Sequence, residues 1–305
     1  MFRYFANRMV QGVAVLLGVS LIVFALTYLG GDPVAALLPL DTPREDVERF
    51  RSANGFDQPL PMQYARFISR AVLGDFGQSL RYREPALPLV LARLPLTITL
   101  ALVGLLVAVV IALPLGIVSA VWRGTYVDGL ARVLMSFGQA APNFWLAMVL
   151  ILFFAVTLRW LPSSGFDDWR GLVLPAITIA MLPAMTLARL LRANLLNVLR
   201  QDYIRTAHAK GLHRRIVLLR HALRNAAIPV VTMIALQLGT LLGGAIITEA
   251  VFALPGMGRL TLQAITARDV PLIQAFVVVS ASCVVLINLV LDVVYVWLDP
   301  RIQLR

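Results

Sequence analysis

RLLRANLLNVLRQDYIRTAHAKGLHRRIVLLRHALR, residues 189–224, sets how the rest of the chain is read. It holds nine Arg or Lys residues against one acid, Asp202, and lies between two uncharged apolar runs, 171–188 and 225–248. Runs of that length cross a bilayer, whose apolar core takes roughly 17–25 helical residues. A connecting loop with so large a basic excess belongs on the cytoplasmic side. Inside the loop, Asp202 is expected as a helix N-cap, Tyr203 to Lys210 as the helix and Gly211 as its stop. The acid at the start and Lys210 in the last turn both suit the helix dipole. A helix of about two turns is too short to hold alone in water, so it has to pack against something. Thr206, Ala207 and Ala209 are small enough for a partner surface to come close. Leu212, Ile216, Leu219 and Leu223 are then expected on one apolar face, with Arg220 and Arg224 on another. Together these pieces describe a docking platform along the inner membrane surface.

Composition agrees with a membrane protein. Of 305 residues 59% are hydrophobic and 14% charged, more apolar surface than one soluble core would hide. The net charge of +11 becomes a topology signal once the charges are placed. Fifteen of the 27 basic residues fall in the inferred cytoplasmic segments, and eight fall in a long first loop that also carries eight acids. Nucleic-acid binding is therefore not indicated. The one cysteine, Cys283, sits in an apolar run, and no disulfide within the chain can form. His208, His213 and His221 match no zinc spacing and lie among cations, so no metal site is expected.

Six spans are expected, at about 10–31, 94–122, 133–158, 171–188, 225–248 and 270–291, in one all-α transmembrane domain. Both termini then lie inside. The intervening polar segment 32–94 is an outer insert rich in Pro and Gly, with a short surface helix expected from Arg44 to Ala53. Pro114, Pro142, Pro175, Pro183 and Pro229 are candidate kinks. Gly239 and Gly243, four apart and followed by Gly244, are expected to allow close helix packing within the subunit. Residues 159–170 and 249–269 are expected as short outer loops, and Asp292 as an interfacial residue at the end of span six. Gln139, Asn143, Thr186, Gln237 and Thr240 are the polar candidates for a substrate path, or equally for hydrogen bonds between helices.

No nucleophile elbow, paired metal-ligand motif or phosphate-binding GxxxxGK[ST] loop occurs, so the chain has no evident means of hydrolysing a nucleotide. The residues alone leave a transport pathway or a non-transporting membrane scaffold.

The run DYIRTAHAKGL (202–212) with RHALRNAAIP (220–229) resembles the cytoplasmic coupling loop of bacterial ABC importer permeases. More narrowly, it is similar to the first of the two permeases in the dipeptide/oligopeptide/nickel branch. GGDP (30–33), GFDQPLPMQY (55–64), GDFGQS (74–79), APNFWLA (141–147), EAVFALPGMGRL (249–260) and LDPRI (298–302) resemble blocks of that branch in the same order. The chain departs from the broader EAA pattern, with Arg205, Thr206 and Ala207 at those positions before Gly211 and Arg224 where proline is usual. The resemblance implies a type I importer permease in the bacterial inner membrane, working with a homologous second permease, two ATPase subunits and an external binding protein. ATP and Mg would be bound by the ATPases, with no cofactor in this chain. Asp202, Tyr203, Ile204, Arg205, Thr206, Ala207, Lys210 and Gly211 would form the coupling contact, with Tyr203 and Ile204 apolar and Arg205 and Lys210 charged. The implied cargo is a dipeptide or oligopeptide, with nickel or another small solute as the alternative.

Overall fold

A computed structural model of the chain describes residues 2–29, 34 and 42–298, with side chains for 6–27, 34, 42–53 and 55–291. The GGDP block, most of LDPRI and the side chain of Asp292 lie outside the described residues. Among those described the fold is helical, with one isolated bridge, Gln78 to Pro85, as its only extended pairing. Five helices are long and apolar enough to cross a membrane, and a bent helix pair makes a sixth when counted as one span. The chain divides into two units, Met1–Leu96 with Gly256–Arg305, and Thr97–Pro255.

In the first unit the helix Phe2–Leu29 packs along Val270–Leu298. Gly12 lets them meet, since a Cβ there would stand 2.8 Å from Val285. Gln274 donates to Thr27 Oγ1 at 3.1 Å across the same contact. The described part of the insert is more helical than expected. Arg44–Asn54 forms, and ends at Gly55 in the left-handed region (φ 71°). Leu60–Val72 follows as a second helix, with Pro59 at its N-cap. Tyr64 and Phe67 pack on Phe24, with ring centroids 5.4 and 6.0 Å away. Asp269 ties the insert down by accepting from Ser79 Oγ and from the backbone N–H of Arg81. The expected outer loop 249–269 contains a helix, Met257–Thr266, whose Leu260 and Ala264 join Phe76, Val90 and Leu272 in this unit's core.

In the second unit Val173–Val198 is the central helix. Of its most apolar window 72% is buried, against 22–33% for the other four span-length helices. Its core is built from small residues, with Ala180, Ala184 and Ala188 clustered with Ala108 and Ala112. Gly116 and Gly138 complete the close approach. A Cβ at Gly116 would lie 2.8 Å from the Ala188 carbonyl, and one at Gly138 would lie 2.7 Å from Met185. The glycines expected to pack, Gly239, Gly243 and Gly244, meet nothing within 4 Å. That expectation fails because motif spacing shows which residues share a helix face, not where the face points.

Two boundaries also change. The helix Val173–Val198 runs on through Arg189 and Arg192, so the polar segment starts as helix. The expected span 133–158 is two helical pieces, Tyr126–Ala140 and Asn143–Thr157, bent by 107°. Pro142 supplies no N–H and pushes the preceding residue out of the helical region, and Ala141 accordingly has φ −68° and ψ 124°. Glu249, expected in an outer loop, lies inside the helix Ile228–Val251, fully buried, and accepts from Thr97 at 2.6 Å.

Overpacking a helix crossing costs about 1–3 kcal/mol. Gly116→Val is therefore expected to lower the thermal unfolding midpoint of the purified chain in detergent, while Gly239→Val leaves it nearly unchanged.

Candidate functional site

The loop helix runs from Asp202 to Ala209, one residue earlier at each end than expected. Gln201, extended at φ −73° and ψ 150°, takes the N-cap position, and its side chain makes no capping bond. Asp202 is instead in the first turn, where its charge still meets the positive end of the helix dipole. It accepts from Arg205 Nη1 at 3.3 Å, a solvent-exposed pair. The helix closes as a Schellman turn, with Lys210 as C-cap. The Gly211 N–H donates to His208 O (2.9 Å) and the Leu212 N–H to Ala207 O (3.3 Å). Gly211 has φ 76°, a conformation that costs other residues roughly 1–2 kcal/mol.

The side chains divide cleanly. Ile204 and Ala207, three apart, are buried in the chain's own core with Leu191, Leu195, Val217 and Ala222. Ile204 thus anchors the helix and leaves the outer contact to others, contrary to its expected place beside Tyr203. Tyr203 is 43% exposed and its hydroxyl accepts from Asn225 Nδ2 at 2.9 Å. Asp202, Arg205, Thr206, Ala209, Lys210 and Gly211 face solvent.

The amphipathic piece that follows is rotated from its expected register. Val217–Ala222 is a π-helical turn between the short α segments Arg214–Ile216 and Leu223–Ala226. The extra residue per turn shifts the faces. Val217 and Ala222 are buried and Leu212 and Leu223 are half-buried, whereas Ile216 (45%) and Leu219 (60%) are exposed. The exposed side chains of the loop therefore include Tyr203, Ile216 and Leu219 as well as Arg205, Lys210, Arg214 and Arg215.

A second feature of this region was missed by sequence reasoning. Asp128 is 2% exposed and receives five hydrogen bonds or ion-pair contacts from four residues. Arg192 donates through Nε and Nη2, each at 3.0 Å, Ser119 Oγ donates at 2.7 Å and the Gly124 N–H at 3.1 Å. Arg192 Nε also reaches Ser119 Oγ at 2.8 Å. The bidentate pair joins the first turn of the helix Tyr126–Ala140 to the central helix near its C-terminal end at Val198, and the Gly124 bond ties the preceding turn to the same carboxylate. The signal available in the sequence was a lone acid between Arg123 and Arg132.

The path candidates form two separate pairs. Gln139 Nε2 donates to Thr186 Oγ1 at 3.1 Å, linking two helices. Thr240 Oγ1 donates to Gln237 Oε1 at 2.8 Å within one helix. Asn143 lies just past the 107° bend, and among the described residues it hydrogen-bonds to neither pair.

Residues 112–304 match the model of the binding-protein-dependent transport system inner membrane component family, and residues 1–101 match the corresponding N-terminal component. The chain belongs to this family. It is 40% identical, over the full length of both chains, to the glutathione transport system permease protein GsiC of Escherichia coli strain K12. The identity and coverage are the same for GsiC of Shigella dysenteriae serotype 1. Among solved structures, an amino acid ABC transporter aligns with TM-score 0.54 at 12% identity, covering 68% of this chain and 92% of that one. The inward-facing MetNI methionine ABC transporter aligns with TM-score 0.53 at 21% identity, covering 68% and 94%. These likenesses establish the type I importer permease fold. The permease is a multi-pass inner-membrane subunit of an ABC importer, and ATP hydrolysis belongs to partner subunits.

Removing one member of a buried ion pair leaves the other uncompensated, at a cost of about 3–5 kcal/mol. Arg192 keeps 21% of its side-chain surface exposed, so Asp128→Ala is expected near or below the low end of that range. The check is thermal unfolding of the purified permease, with Arg132→Ala, on the exposed partner, as a near-neutral control.

Proposed function

We propose that the permease forms half of an import path for dipeptides or oligopeptides and is driven through the loop helix Asp202–Ala209. The observation behind the coupling role is the division of that helix into a buried and an outer face. Ile204 and Ala207 hold it in the permease core while Tyr203, Arg205, Thr206 and Lys210 are left outward. A lever needs both halves: a rigid seat in the moving body and a free surface for the engine. In this reading the loop and both termini are cytoplasmic, and the helix fits a groove on one of two ATPase subunits that bind ATP and Mg. Closure of the ATPase pair pulls on the helix and biases the spans towards an outward-facing arrangement, as rigid-body coupling between two states. A homologous second permease supplies the other half of the path, and an external binding protein delivers cargo. The peptide assignment is supported by full-length similarity to permeases named for glutathione transport, glutathione being itself a small peptide.

The path needs polar walls that bind weakly, because a site must release what it accepts. Gln139 with Thr186 and Gln237 with Thr240 are the proposed wall groups, each already satisfied by its neighbour and so only weakly competitive for cargo.

Gly211→Val strains the C-terminal turn, and Ala207→Asp places a carboxylate in the apolar seat. In liposomes holding the complete importer, both are expected to abolish peptide uptake and the stimulation of ATPase activity by loaded binding protein, with membrane insertion retained. Normal uptake together with normal stimulation would remove the coupling assignment. Uptake of nickel and not of peptide by the unaltered importer would overturn the cargo assignment alone.

A further inference from the structure

The first unit contains a cavity of about 280 Å³ that neither the coupling surface nor the path candidates explain. Its walls come from four parts of the unit: the helix Phe2–Leu29, the two helices of the insert, the loop 75–78 and the start of Val270–Leu298. Phe24, Phe50, Phe56, Phe67 and Phe76 supply apolar surface, and Gln63, Gln78 and Gln274 supply amide groups. The charged lining residues are Arg66, Arg70 and Asp75.

The charged groups are placed by backbone geometry. Arg70 stands in the last turn of Leu60–Val72, and the chain then reverses through Gly74 (φ 81°). That reversal is closed by the Asp75 N–H donating to Arg70 O at 2.9 Å and the Gly74 N–H to Ala71 O at 3.0 Å. The reversal brings Arg70 and Asp75 side by side on the cavity lining, both with solvent-exposed side chains. Asp75 Oδ1 accepts from the Gly77 N–H at 2.9 Å, which orients the carboxylate. Among the described residues the Arg70 guanidinium has no hydrogen-bond or ion-pair partner, and it forms no ion pair with Asp75. Arg66 is held in the wall, donating to Gln58 Oε1 at 3.2 Å. Gly55 makes room for it, because a Cβ there would collide with the Arg66 guanidinium.

We propose that this cavity binds a short zwitterionic peptide, with Arg70 taking the terminal carboxylate, Asp75 the terminal ammonium and the phenylalanines an apolar side chain. Each part of the ligand has its counterpart. A planar guanidinium matches a carboxylate through paired N–H bonds. A carboxylate at the same edge favours a ligand that also carries a cation, and disfavours simple anions. The Gln78 amide can pair with the peptide bond, while Gln63 is held in the wall by donating to Phe56 O and Gln58 O. An aromatic lining with a few convergent polar groups is the usual make-up of a small-ligand site. The volume sits at the lower edge of the usual range, roughly 300–1,000 Å³, which suits one or two residues and not a long chain. The site lies between the insert and the helices Phe2–Leu29 and Val270–Leu298, not among the residues assigned to the path, and binding there requires neither ATP nor a partner subunit.

The test uses the full-length permease in lipid nanodiscs without ATPases, titrated calorimetrically with the dipeptide Ala-Phe. Saturable binding is expected, weaker by about tenfold or more for Ala-Phe amide and for N-acetyl-Ala-Phe. Arg70→Gln is expected to weaken Ala-Phe binding to a similar degree while leaving binding of the amide unchanged, and Arg70→Lys to restore part of the loss. Asp75→Asn, which keeps an acceptor for Gly77, is expected to remove the penalty of N-acetylation. Absence of saturable binding at millimolar Ala-Phe would overturn the proposal. So would binding that neither Arg70→Gln nor Asp75→Asn alters, because the peptide would then occupy another site. The import reading is judged separately, by uptake in the complete importer, so either can fail without the other.

Discussion

The burial of Ile204 and Ala207 beside Val217 and Ala222 is the contact that makes the loop helix part of the permease body. An eight-residue helix gains little from its own hydrogen bonds, since forming the first turn is costly. Apolar packing on one side and the Schellman closure at Gly211 supply what its length does not. With the helix held at both ends, a force on its outer face would move the core residues with it. Close-packed interiors transmit displacement because they resist compression.

The Asp128–Arg192 pair serves the same unit by a different means. Ser119, Gly124 and Arg192 surround one carboxylate, so the turn between two helices cannot slide along the central helix without leaving a charge unmatched. Such a pair adds little net stability compared with an apolar substitute, but it penalises every other register. The small residues clustered along the same helix give the complementary constraint. Alanines and glycines bring backbones close, and dispersion contacts then hold helices together where lipid removes the hydrophobic advantage.

Irregular helix geometry occurs beside two of the proposed functional surfaces. The 107° bend at Pro142 precedes Asn143, and the π-helical turn Val217–Ala222 forms part of the bed for the loop helix. In each case a departure from ideal geometry re-aims side chains that an unbroken helix would direct elsewhere. Ile216 and Leu219 are exposed beside that turn for this reason.

Much of the architecture could be read from residues 189–224 and their uncharged neighbours, because the cost of placing charge in lipid is large and local. The same chemistry made the membrane class, the loop helix and its stop at Gly211 legible, since a left-handed C-terminal residue and a lack of mid-span charge are properties of short windows. The family blocks added the importer permease assignment. What could not be read was direction. Whether Ile204 faces core or solvent, whether Gly239 and Gly243 meet a neighbour, and that Asp128 reaches Arg192 across 64 positions all depend on how helices rotate and cross. The wider winding of the turn 217–222 was enough to leave Ile216 and Leu219 outward. Where the chain can lie in lipid was thus written in its residues, through transfer energies that act one position at a time. Which faces pair was left to folding, because packing is settled by contacts between residues far apart in the chain.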